Sequence, residues 1–319
     1  MNNADKQPTP QVQWLEISEA NHEQRLDNFL ISYLKGVPKT RIYRMVRKGE
    51  VRVNKGRVDV SYKLACGDVV RIPPVRVAEP TAAVIIPPSL KYSLENHILY
   101  EDDGFIVLNK PAGFAVHGGS GVNSGVIEAL RQLRPQQKFL ELVHRLDKET
   151  SGCLLIAKKR SVLKNLHELF RGDGVNKTYL ALLAGQFARK QQTVNAPLLK
   201  NILQSGERMV VVSQAGKAAE TSFTRLKAFT TCTLVHAAPK TGRTHQIRVH
   251  AAWLGHPIIG DDRYGEDQVN KTFKQRGYKR LFLHAEQLQF AHPLSGQTLT
   301  FTAPLPEDLQ KLIDHETTL

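Results

Sequence analysis

The stretch HRLDKETSGCLLIA, residues 144–157, combines a turn rich in charged side chains with an apolar run typical of a buried strand. One strand is predicted to end in residues 144–147, and the chain then turns through residues 150–152 into the next strand. Asp147 lies at this strand-to-turn edge, beside basic groups. An aspartate in such a place often only accepts hydrogen bonds from the amides of its own turn, and these residues alone favour that structural role.

Short apolar runs broken by turns continue on both sides of this stretch, from residue 98 onward. The pattern predicts an α+β domain over residues 93–319, built on a mixed, mainly antiparallel sheet with a few helices. One helix is predicted over residues 161–170, where apolar side chains recur at helical spacing behind Ser161, its predicted cap. The chain has no GxGxxG or GxxxxGK[ST] loop, and no cofactor is predicted.

The segment TGRTHQIRVHAAWLGHP, residues 241–257, predicts a helix with an arginine near its start. Thr244 is the predicted cap, and Arg248 lies one turn inside the helix. A cation near a helix N-terminus is mildly unfavourable, so Arg248 needs an anion nearby. A carboxylate such as Asp147, or a phosphate, would supply that anion; a plain surface arginine is the alternative.

A third segment, NKTYLALLAG at residues 176–185, predicts an apolar strand that carries Tyr179. A tyrosine on a strand usually packs in the core or at a sheet edge, with its hydroxyl bonded to a neighbour. No feature of this segment by itself gives Tyr179 a functional role.

Most of the chain's excess positive charge lies in one short segment. Residues 25–76 hold 13 Lys or Arg residues and four Asp or Glu residues, a net charge of +9, whereas the full chain of 319 residues carries +14. Such a local excess is typical of a surface that binds a polyanion, because phosphates release counterions when Lys and Arg neutralise them. Nucleic acid is the first candidate, and a basic face that only aids solubility is the alternative.

The basic segment has the periodicity of two helices and a hairpin. In RLDNFLISYLKG, residues 25–36, the apolar positions recur at helical spacing. In TRIYRMVRKGE, residues 40–50, Thr40 is the predicted cap, and apolar and basic side chains occupy separate helix faces. VRVNKGRV then alternates around residues 54–56 as a hairpin does, and VVRIP at residues 69–73 predicts a further strand. The segment is therefore expected to form a compact αα–ββ module.

The overall composition is that of a folded protein, with 41% hydrophobic and 23% charged residues. No apolar run approaches the roughly 18 residues of a membrane span, and the first residues lack the features of a secretion signal. The three cysteines, Cys66, Cys153 and Cys232, lie too far apart for a short CxxC-type zinc spacing. Their odd number suits a reducing compartment, and core packing roles are predicted for them. A cytoplasmic protein with no membrane partner is expected, and nothing demands more than a monomer.

Five prolines mark the boundary between the two parts of the chain, namely Pro73, Pro74, Pro80, Pro87 and Pro88. Their density predicts an extended linker. The sequence therefore predicts a flexible N-terminus over residues 1–13, the basic module over residues 14–80, a proline-rich linker over residues 81–92 and the larger domain over residues 93–319.

The basic module resembles the S-four (S4) domain, a small RNA-binding domain first described in a ribosomal protein. The resemblance rests on RLDNFL, on KTRIYRMVRKGEVRVNKGRV at residues 39–58 and on GDVVRIP. It implies that the basic helix and the hairpin bind the backbone phosphates of structured RNA. The residues thus expected to bind RNA are Lys39, Arg41, Arg44, Arg47, Lys48, Arg52, Lys55 and Arg57.

The larger domain resembles the RluA family of pseudouridine synthases, in which an S4-like domain in front is a common arrangement. Five motifs in the family's order and spacing carry the resemblance: LNKPAGFAVH, HRLDKETSG, KTYLAL, GRTHQIRVH and GDDRYG. The resemblance implies that selected uridines of large-subunit (23S) ribosomal RNA, free or in an assembly intermediate, are isomerised to pseudouridine without cofactor or metal. The target base would have to leave its stack, because the glycosidic bond is inaccessible inside a helix.

The resemblance also implies roles for individual residues. Asp147 matches the family's catalytic aspartate, which attacks the anomeric carbon of the ribose or assists formation of a glycal. Arg248 matches the arginine that pairs with this aspartate in bidentate geometry and favours its ionised form. Tyr179 matches the tyrosine that stacks on the target base. Arg145 matches a residue that fills the space left in the RNA when the uridine leaves its stack. The other residues expected to bind substrate are His117, His144, Arg243 and His245.

Two other functions fit parts of the sequence. The basic module alone would suit a noncatalytic RNA-binding assembly factor, for which Asp147 would be dispensable. A metal-dependent RNA nuclease would instead use Asp261 and Asp262 with histidines, the candidates being His117, His144, His245, His250 and His284. His245 and His250 are five residues apart, off the i, i+4 spacing of a helical metal pair, so no metal site is predicted.

Overall fold

The computed structural model describes residues 11–34, 36–75, 86–118, 124–202 and 208–317. Two compact units make up the chain, residues 1–85 and residues 86–319. Most of the predicted flexible N-terminus lies outside the described residues, and so does the first part of the predicted linker, residues 81–85.

The N-terminal unit contains two helices and a three-stranded antiparallel sheet of order β1-β3-β2. Its elements are β1 (Gln13–Glu16), a 3-10 turn (Glu19–Asn21), α1 (Leu26–Tyr33), α2 (Lys39–Arg47), β2 (Arg52–Val53) and β3 (Val69–Ile72). Both helices bury most of their predicted apolar faces, with Leu30 and Met45 fully enclosed, but Tyr33 of α1, which was predicted to belong to the apolar face, is 43% exposed. Asn54 and Lys55 adopt positive φ, as a tight hairpin turn requires. The order of two helices followed by two strands is therefore confirmed, and β1 is an additional strand that was not predicted. The predicted hairpin within VRVNKGRV is wrong beyond its turn: Val53 forms one isolated bridge with Gly56, and β2 pairs with β3 instead.

The C-terminal unit is an α+β domain on a large mixed sheet, as predicted. Its elements are α3 (Pro88–Asn96), β4 (Ile98–Glu101), β5 (Phe105–Lys110), α4 (Val126–Leu133), β6 (Glu141–Leu142), β7 (Ser151–Ala157), α5 (Arg160–Arg171), β8 (Val175–Ala184), β9 (Gln191–Asn195), β10 (Leu198–Ile202), β11 (Arg208–Val212), β12 (Glu220–Ala228), β13 (Cys232–Pro239), α6 (Gln246–Trp253), α7 (Asp267–Gln275), β14 (Leu283–Ala291), β15 (Thr298–Thr302) and α8 (Glu307–His315). The main sheet has the order β4-β5-β7-β14-β8-β13-β12-β9, with β6 beside β7 and β15 beside β14, while β10 and β11 form a separate hairpin.

The centre of the main sheet is the parallel pair of β7 and β14. Ser151 lies beside His284 of β14, and His284 lies beside Leu180 of β8, so one line of residues crosses the three central strands. The close approach of β14 requires glycine at position 152: a Cβ there, at φ +108°, would lie 2.2 Å from the carbonyl oxygen of Ala285. Since Ser151 begins β7 and Leu180 lies in the middle of β8, the turn before β7 lies one strand away from the middle of β8.

Three predicted helix caps are wrong. Helix α2 begins one residue before Thr40, α5 begins one residue before Ser161, and α6 begins two residues after Thr244, and none of the three has a side-chain cap hydrogen bond. At α6 the side chain of Gln246, the first helical residue, accepts the N–H of Arg243 at 3.0 Å and so ties the preceding turn to the start of the helix. Packing shifts helix boundaries by one or two residues, which is enough to override a cap preference.

The predicted extended linker is wrong at its C-terminal end. Helix α3 begins at Pro88 and buries Leu90 and Leu94 in the core of the second unit. Proline has no amide hydrogen, but the N–H groups of the first helical turn have no acceptor within the helix. Proline is therefore compatible with the first position of a helix.

All three cysteines are free, but only two of them have the predicted core role. Cys153 and Cys232 are buried, whereas Cys66 is exposed because it lies in the turn before β3. Within the described ranges, no helix combines the length and the apolar character needed to cross a membrane.

Candidate active site

Asp147, Tyr179 and Arg248, far apart in the sequence, meet at one cavity of about 490 Å³. Asp147 lies in the turn before β7, Tyr179 in β8, and Arg248 in the first turn of α6, which follows β13. The order of strands explains the meeting, because β8 pairs with β13 on one side and is separated from β7 only by β14 on the other. The structure therefore brings together the three side chains that the motifs single out.

Arg248 is held between two carboxylates. Its Nη1 donates to Oδ2 of Asp147 at 3.1 Å, while Nε and Nη2 donate to the two oxygens of Asp261, both at 2.7 Å. The predicted bidentate pair with Asp147 is therefore wrong, because the edge of the guanidinium that carries Nε and Nη2 faces Asp261. Asp147 receives a single hydrogen bond from a guanidinium that Asp261 has already oriented.

Asp261 is the buried partner of Arg248: its side chain is fully enclosed, whereas that of Asp147 is 30% exposed. Burial alone would raise the pKa of Asp261, but Arg248 and the backbone N–H groups of Arg263 and Tyr264 hold that pKa below its usual range. Burial would lower the pKa of Arg248, and the two carboxylates more than reverse this. Asp261 and Arg248 are thus both charged, and Asp147 is the carboxylate that a substrate can reach.

The turn that carries Asp261 is braced by α7, which belongs to the polar run over residues 266–280. The side chain of Asn270 accepts the N–H of Gly260 and donates to the carbonyl oxygen of Asp261, both at 2.9 Å. Gly260 adopts φ +76°, in the left-handed region that favours glycine. Helix α7 therefore supports the carboxylate that holds Arg248.

Lys110 fastens the turn that carries Asp147. Its side chain is fully buried, and Nζ donates to the carbonyl oxygens of Pro111, Phe114 and Lys148 at 2.7, 2.9 and 3.1 Å. Burial lowers the pKa of Lys110 to about 7, against the opposing effect of nearby carboxylates. Since Lys148 follows Asp147 directly, these hydrogen bonds fix the backbone of the Asp147 turn.

Tyr179 lines the same cavity from β8. Its ring packs against the two apolar clusters on either side of the central strands, and the side chain is partly exposed. Burial raises the pKa of Tyr179 and the charge of Asp147 raises it further, so the phenol is neutral at any working pH. Within the described part of the chain, its hydroxyl has no hydrogen-bond partner, which leaves both the ring and the hydroxyl available to a ligand.

The five other residues predicted to bind substrate line this cavity or a second one of about 590 Å³ that shares Asp147 with it. Arg145 and His245 line both cavities, His144 and Arg243 line the first, and His117 lines the second. Arg145, His117 and Arg243 are exposed, and the last two each donate to a backbone carbonyl oxygen, of Gly118 and Ala218 respectively.

The imidazole of His144 is bound to the protein itself. It stacks on Phe170 with a centroid distance of 5.0 Å, and its Nε2 accepts the N–H of Leu155 at 3.1 Å. Burial, and to a smaller extent the neighbouring charge of Lys177, lower the pKa of His144 to about 4, so the ring is neutral. These contacts make His144 a fixed part of the cavity wall.

The eight residues predicted to bind RNA lie on α2 or directly after it, and on β2 or within four residues after it. Seven are exposed, and Arg41 is partly buried beside Glu50, 3.3 Å away. Four of them line a shallow depression of about 620 Å³ on the outer face of α2, namely Arg41, Arg44, Arg47 and Lys48. The predicted cationic stripe therefore exists on this unit.

Asp261 and Tyr264, both in the motif GDDRYG, belong to the site although neither was predicted there. The sequence suggests Asp261 only as a metal ligand of the nuclease alternative. A signal for its burial exists in HPIIGDD, where an acidic residue follows an apolar run and so needs a partner. Nothing in the sequence marks Tyr264, whose hydroxyl lies 2.8 Å from Nδ1 of His245.

Comparison with known proteins identifies both units. The family model of RNA pseudouridylate synthases matches residues 104–253, and that of the S4 domain matches residues 24–70. The chain is 57% identical over 303 residues to a Haemophilus influenzae protein named ribosomal large subunit pseudouridine synthase C, with 95% of this chain and 94% of the relative covered. An Escherichia coli protein of the same name is 55% identical over 311 residues, covering 97% and 98%.

Two solved human structures resemble the chain as well. Human RNA pseudouridylate synthase domain containing 1 superposes with a TM-score of 0.60 and 26% identity, covering 74% of this chain and 92% of that one. Human RNA pseudouridylate synthase domain containing 4 superposes with a TM-score of 0.58 and 28% identity, covering 70% of this chain and 96% of that one. The resemblance inferred from the motifs is confirmed: the chain belongs to the family of RNA pseudouridylate synthases and carries an S4 domain ahead of its catalytic domain.

Proposed function

We propose that this pseudouridine synthase isomerises selected uridines of large-subunit ribosomal RNA, with Asp147 as the reacting carboxylate. The observation that carries the proposal is the partly exposed Asp147 paired with the guanidinium of Arg248 in a cavity that Tyr179 also lines. The choice of RNA rests on the relatives, which are named ribosomal large subunit pseudouridine synthase C. The proposal involves no cofactor and no metal.

In the proposed reaction the N1–C1′ bond of uridine breaks, the uracil turns, and a C5–C1′ bond forms. The proton on C5 leaves and N1 gains a proton, so the product is an isomer of the substrate. Asp147 acts in its ionised form, either by attack of a carboxylate oxygen on C1′ or by assisting formation of a glycal. Arg248 binds Oδ2 of Asp147, and within the described residues Oδ1 accepts no hydrogen bond, which leaves it available to the ribose.

The target uridine has to leave its stack before this chemistry, at a cost of a few kcal/mol. Stacking of the flipped base on an aromatic ring returns about 1–3 kcal/mol, and Tyr179 is the ring that lines the cavity. We assign the vacated space in the RNA to Arg145, because its exposed side chain lies at the border of both cavities. A loop or junction uridine, whose base is easily splayed, is the expected target.

Arg248→Lys is expected to slow the reaction by about 100-fold or more, because an ammonium cannot bind Asp261 in bidentate fashion and also reach Asp147. Expressed as free energies, the loss of folding stability should be smaller than the rise in the activation barrier, since the positive charge is kept. Single-turnover rates and thermal unfolding of the purified variant measure both quantities. Arg225→Lys, on β12 outside both cavities, is the matched control; a rate for Arg248→Lys within threefold of wild type would remove Arg248 from the mechanism.

The cationic face of α2 is expected to dock the RNA. Replacing Arg44, Arg47 and Lys48 together by Gln should weaken binding of large-subunit RNA and flatten its logarithmic salt dependence by about 2 to 3, since each lost phosphate contact removes about 0.7–0.9 from the slope. A variant that replaces three exposed basic residues elsewhere, Arg189, Lys190 and Lys311, is the control of equal charge. Equal salt slopes for the two variants would show that α2 contributes no more than net charge.

A tritium-release assay tests the proposed activity directly. Large-subunit RNA labelled with ³H at C5 of uridine loses one tritium for each pseudouridine formed, because the C5–H bond is broken only in that reaction. The purified full-length protein is expected to release tritium from a small, fixed number of uridines, in buffer without added metal or cofactor. Binding of the RNA without any release would favour the noncatalytic assembly factor instead.

The nuclease alternative has little support in the site. It needs Asp261 as a metal ligand, but the oxygens of Asp261 accept hydrogen bonds from Arg248 and from two backbone amides. Among the described residues, no group of three His, Cys, Asp or Glu side chains is arranged to hold a metal ion. Cleavage of the labelled RNA during the tritium assay would instead favour the nuclease.

We further propose that the enzyme acts in the cytoplasm as a monomer, on free large-subunit RNA or on an assembly intermediate. The free thiols of all three cysteines, including the exposed Cys66, suit a reducing compartment. Sedimentation of the purified protein with and without RNA tests the oligomeric state.

A further inference from the structure

Asp147 has a second basic neighbour besides Arg248. The Nε2 atom of His245 lies 3.8 Å from Oδ1 of Asp147, beyond hydrogen-bond distance, and the His245 side chain is only 15% exposed. On the other side of the ring, Nδ1 lies 2.8 Å from the hydroxyl of Tyr264. The effect of His245 on Asp147 therefore depends on where the imidazole carries its proton and on whether it is charged.

The direction of the hydrogen bond between Tyr264 and His245 follows from a third partner. The backbone N–H of Val210 donates to the hydroxyl oxygen of Tyr264 at 3.1 Å. Val210 occupies one lone pair of this oxygen, and in the described part of the chain Nδ1 of His245 is the acceptor near the hydroxyl proton. We therefore assign Tyr264 as the donor of this bond. A neutral His245 consequently carries its proton on Nε2, the atom that faces Asp147.

Charges of both signs surround the His245 ring. Burial lowers the pKa of His245 and is the largest effect. The negative charges of Asp147 and Asp261 raise this pKa, and the positive charges of Arg248 and Arg263 lower it. The net result is a pKa below the ordinary value of histidine. The imidazole is therefore neutral at neutral pH and forms no ion pair with Asp147 there.

The backbone holds this ring in place at an energetic cost. His245 adopts φ +54°, a left-handed conformation that is uncommon outside glycine. The following residue, Gln246, secures it: its side-chain oxygen accepts the N–H of Arg243 and the hydroxyl of Thr241. Unfavourable backbone conformations of this kind are concentrated at functional sites, where the surrounding structure maintains them.

Tyr264 contacts both groups that flank Asp147. Its ring meets that of His245 edge-on, with centroids 5.5 Å apart, and the guanidinium carbon of Arg248 lies 5.1 Å from the ring centre. One side chain of the GDDRYG motif thus fixes His245 and packs against Arg248.

We propose that Tyr264 is a positioning residue that keeps His245 neutral, so that no ion pair with the imidazole captures Oδ1 of Asp147 and this oxygen stays free to react. The inference rests on the proposed role of Asp147. Because Arg248 binds Oδ2, Oδ1 is the oxygen left for the ribose. A protonated His245 would instead form an ion pair with Asp147 and capture Oδ1. Pseudouridine formation is therefore expected to slow as the pH falls through the pKa of His245.

The hydrogen bond from Tyr264 stabilises the neutral form of His245, so its removal raises the pKa of His245. In Tyr264→Phe the protonated ring persists to higher pH, and the acid limb of the rate profile should move up by roughly half to one pH unit. In His245→Asn the titrating group is absent, and asparagine tolerates a positive φ. Whatever the height of this variant's rate plateau, its rate relative to that plateau should persist to lower pH than in wild type. Single-turnover rates at saturating enzyme, from about pH 4.5 to pH 8.5, measure these limbs independently of RNA affinity.

A second measurement reports the tautomer without activity. In protein with ¹⁵N-labelled histidine, the His245 signals, identified by their loss in His245→Asn, should show protonated Nε2 and bare Nδ1 at pH 7.5 in wild type. In Tyr264→Phe the two tautomers should mix. An unmoved acid limb in both variants, or protonated Nδ1 in wild type at pH 7.5, would overturn the inference. An inactive wild type would refute the proposed function instead, and the ¹⁵N pattern would still decide the tautomer.

Discussion

The Asp147→Asn variant is expected to bind large-subunit RNA within about twofold of wild type and to form pseudouridine at least about 10⁴-fold more slowly. Asparagine has nearly the volume of aspartate, and its amide oxygen can still accept the hydrogen bond from Arg248. An amide, however, is neither a nucleophile nor a base, so every route through the carboxylate is closed. Tritium release under single-turnover conditions and filter binding of the same RNA measure the two quantities.

Glu149→Gln is the matched control for this variant. Glu149 belongs to the same turn, and its side chain is 48% exposed with only a distant contact to Lys148. Loss of its charge should leave the rate within about twofold of wild type, since an exposed pair of this kind has little energetic value. Residual turnover of Asp147→Asn above about 1% of wild type would remove Asp147 from the centre of the mechanism.

Asp261→Asn is expected to lower both stability and rate, the former by about 3 kcal/mol in the free energy of unfolding. The buried Arg248 would keep its charge but lose its bidentate partner, and the new NH₂ group would face an N–H of the guanidinium. A guanidinium that is no longer oriented should also slow pseudouridine formation by about 100-fold. Denaturant unfolding and single-turnover rates check the two parts separately.

The neighbouring Asp262→Asn supplies the control. Asp262 is 73% exposed and pairs with Lys274 at 3.0 Å on the surface, so its replacement should change the free energy of unfolding by less than about 0.5 kcal/mol. If the Asp261 and Asp262 variants unfold at the same denaturant concentration and react at the same rate, Asp261 does not hold Arg248 in the working enzyme.

Sequence periodicity predicted the elements whose apolar spacing is regular. The two faces of α2 are an example: Ile42, Met45 and Val46 are buried, and the basic residues between them are outside. Periodicity did not locate the ends of helices, because the same polar residue types occur at the cap and in the residues next to it. Thr244 is an example: it was predicted as the cap, but α6 begins two residues later. The short strand β1 was missed because four residues give too little alternation to count.

The motifs singled out the side chains that we propose to react, but not how these side chains are held. Asp147, Tyr179 and Arg248 were assigned by resemblance, and they do share one cavity. The bidentate partner of Arg248 was assigned to the wrong aspartate, because the choice between Asp147 and Asp261 depends on which edge of the guanidinium each carboxylate meets. That geometry is set by tertiary packing, including the bracing of the Asp261 turn by α7, and it has no signature in local sequence.

The most direct test of the central claim is a carbodiimide map of pseudouridine in large-subunit RNA from cells that lack this protein, complemented with wild type or with Asp147→Asn. We predict that a small set of pseudouridines disappears in the deletion strain, returns with wild type and does not return with the variant. A map that is unchanged by the deletion, or restored equally by the variant, would contradict the assignment of Asp147 as the reacting group of an rRNA pseudouridine synthase.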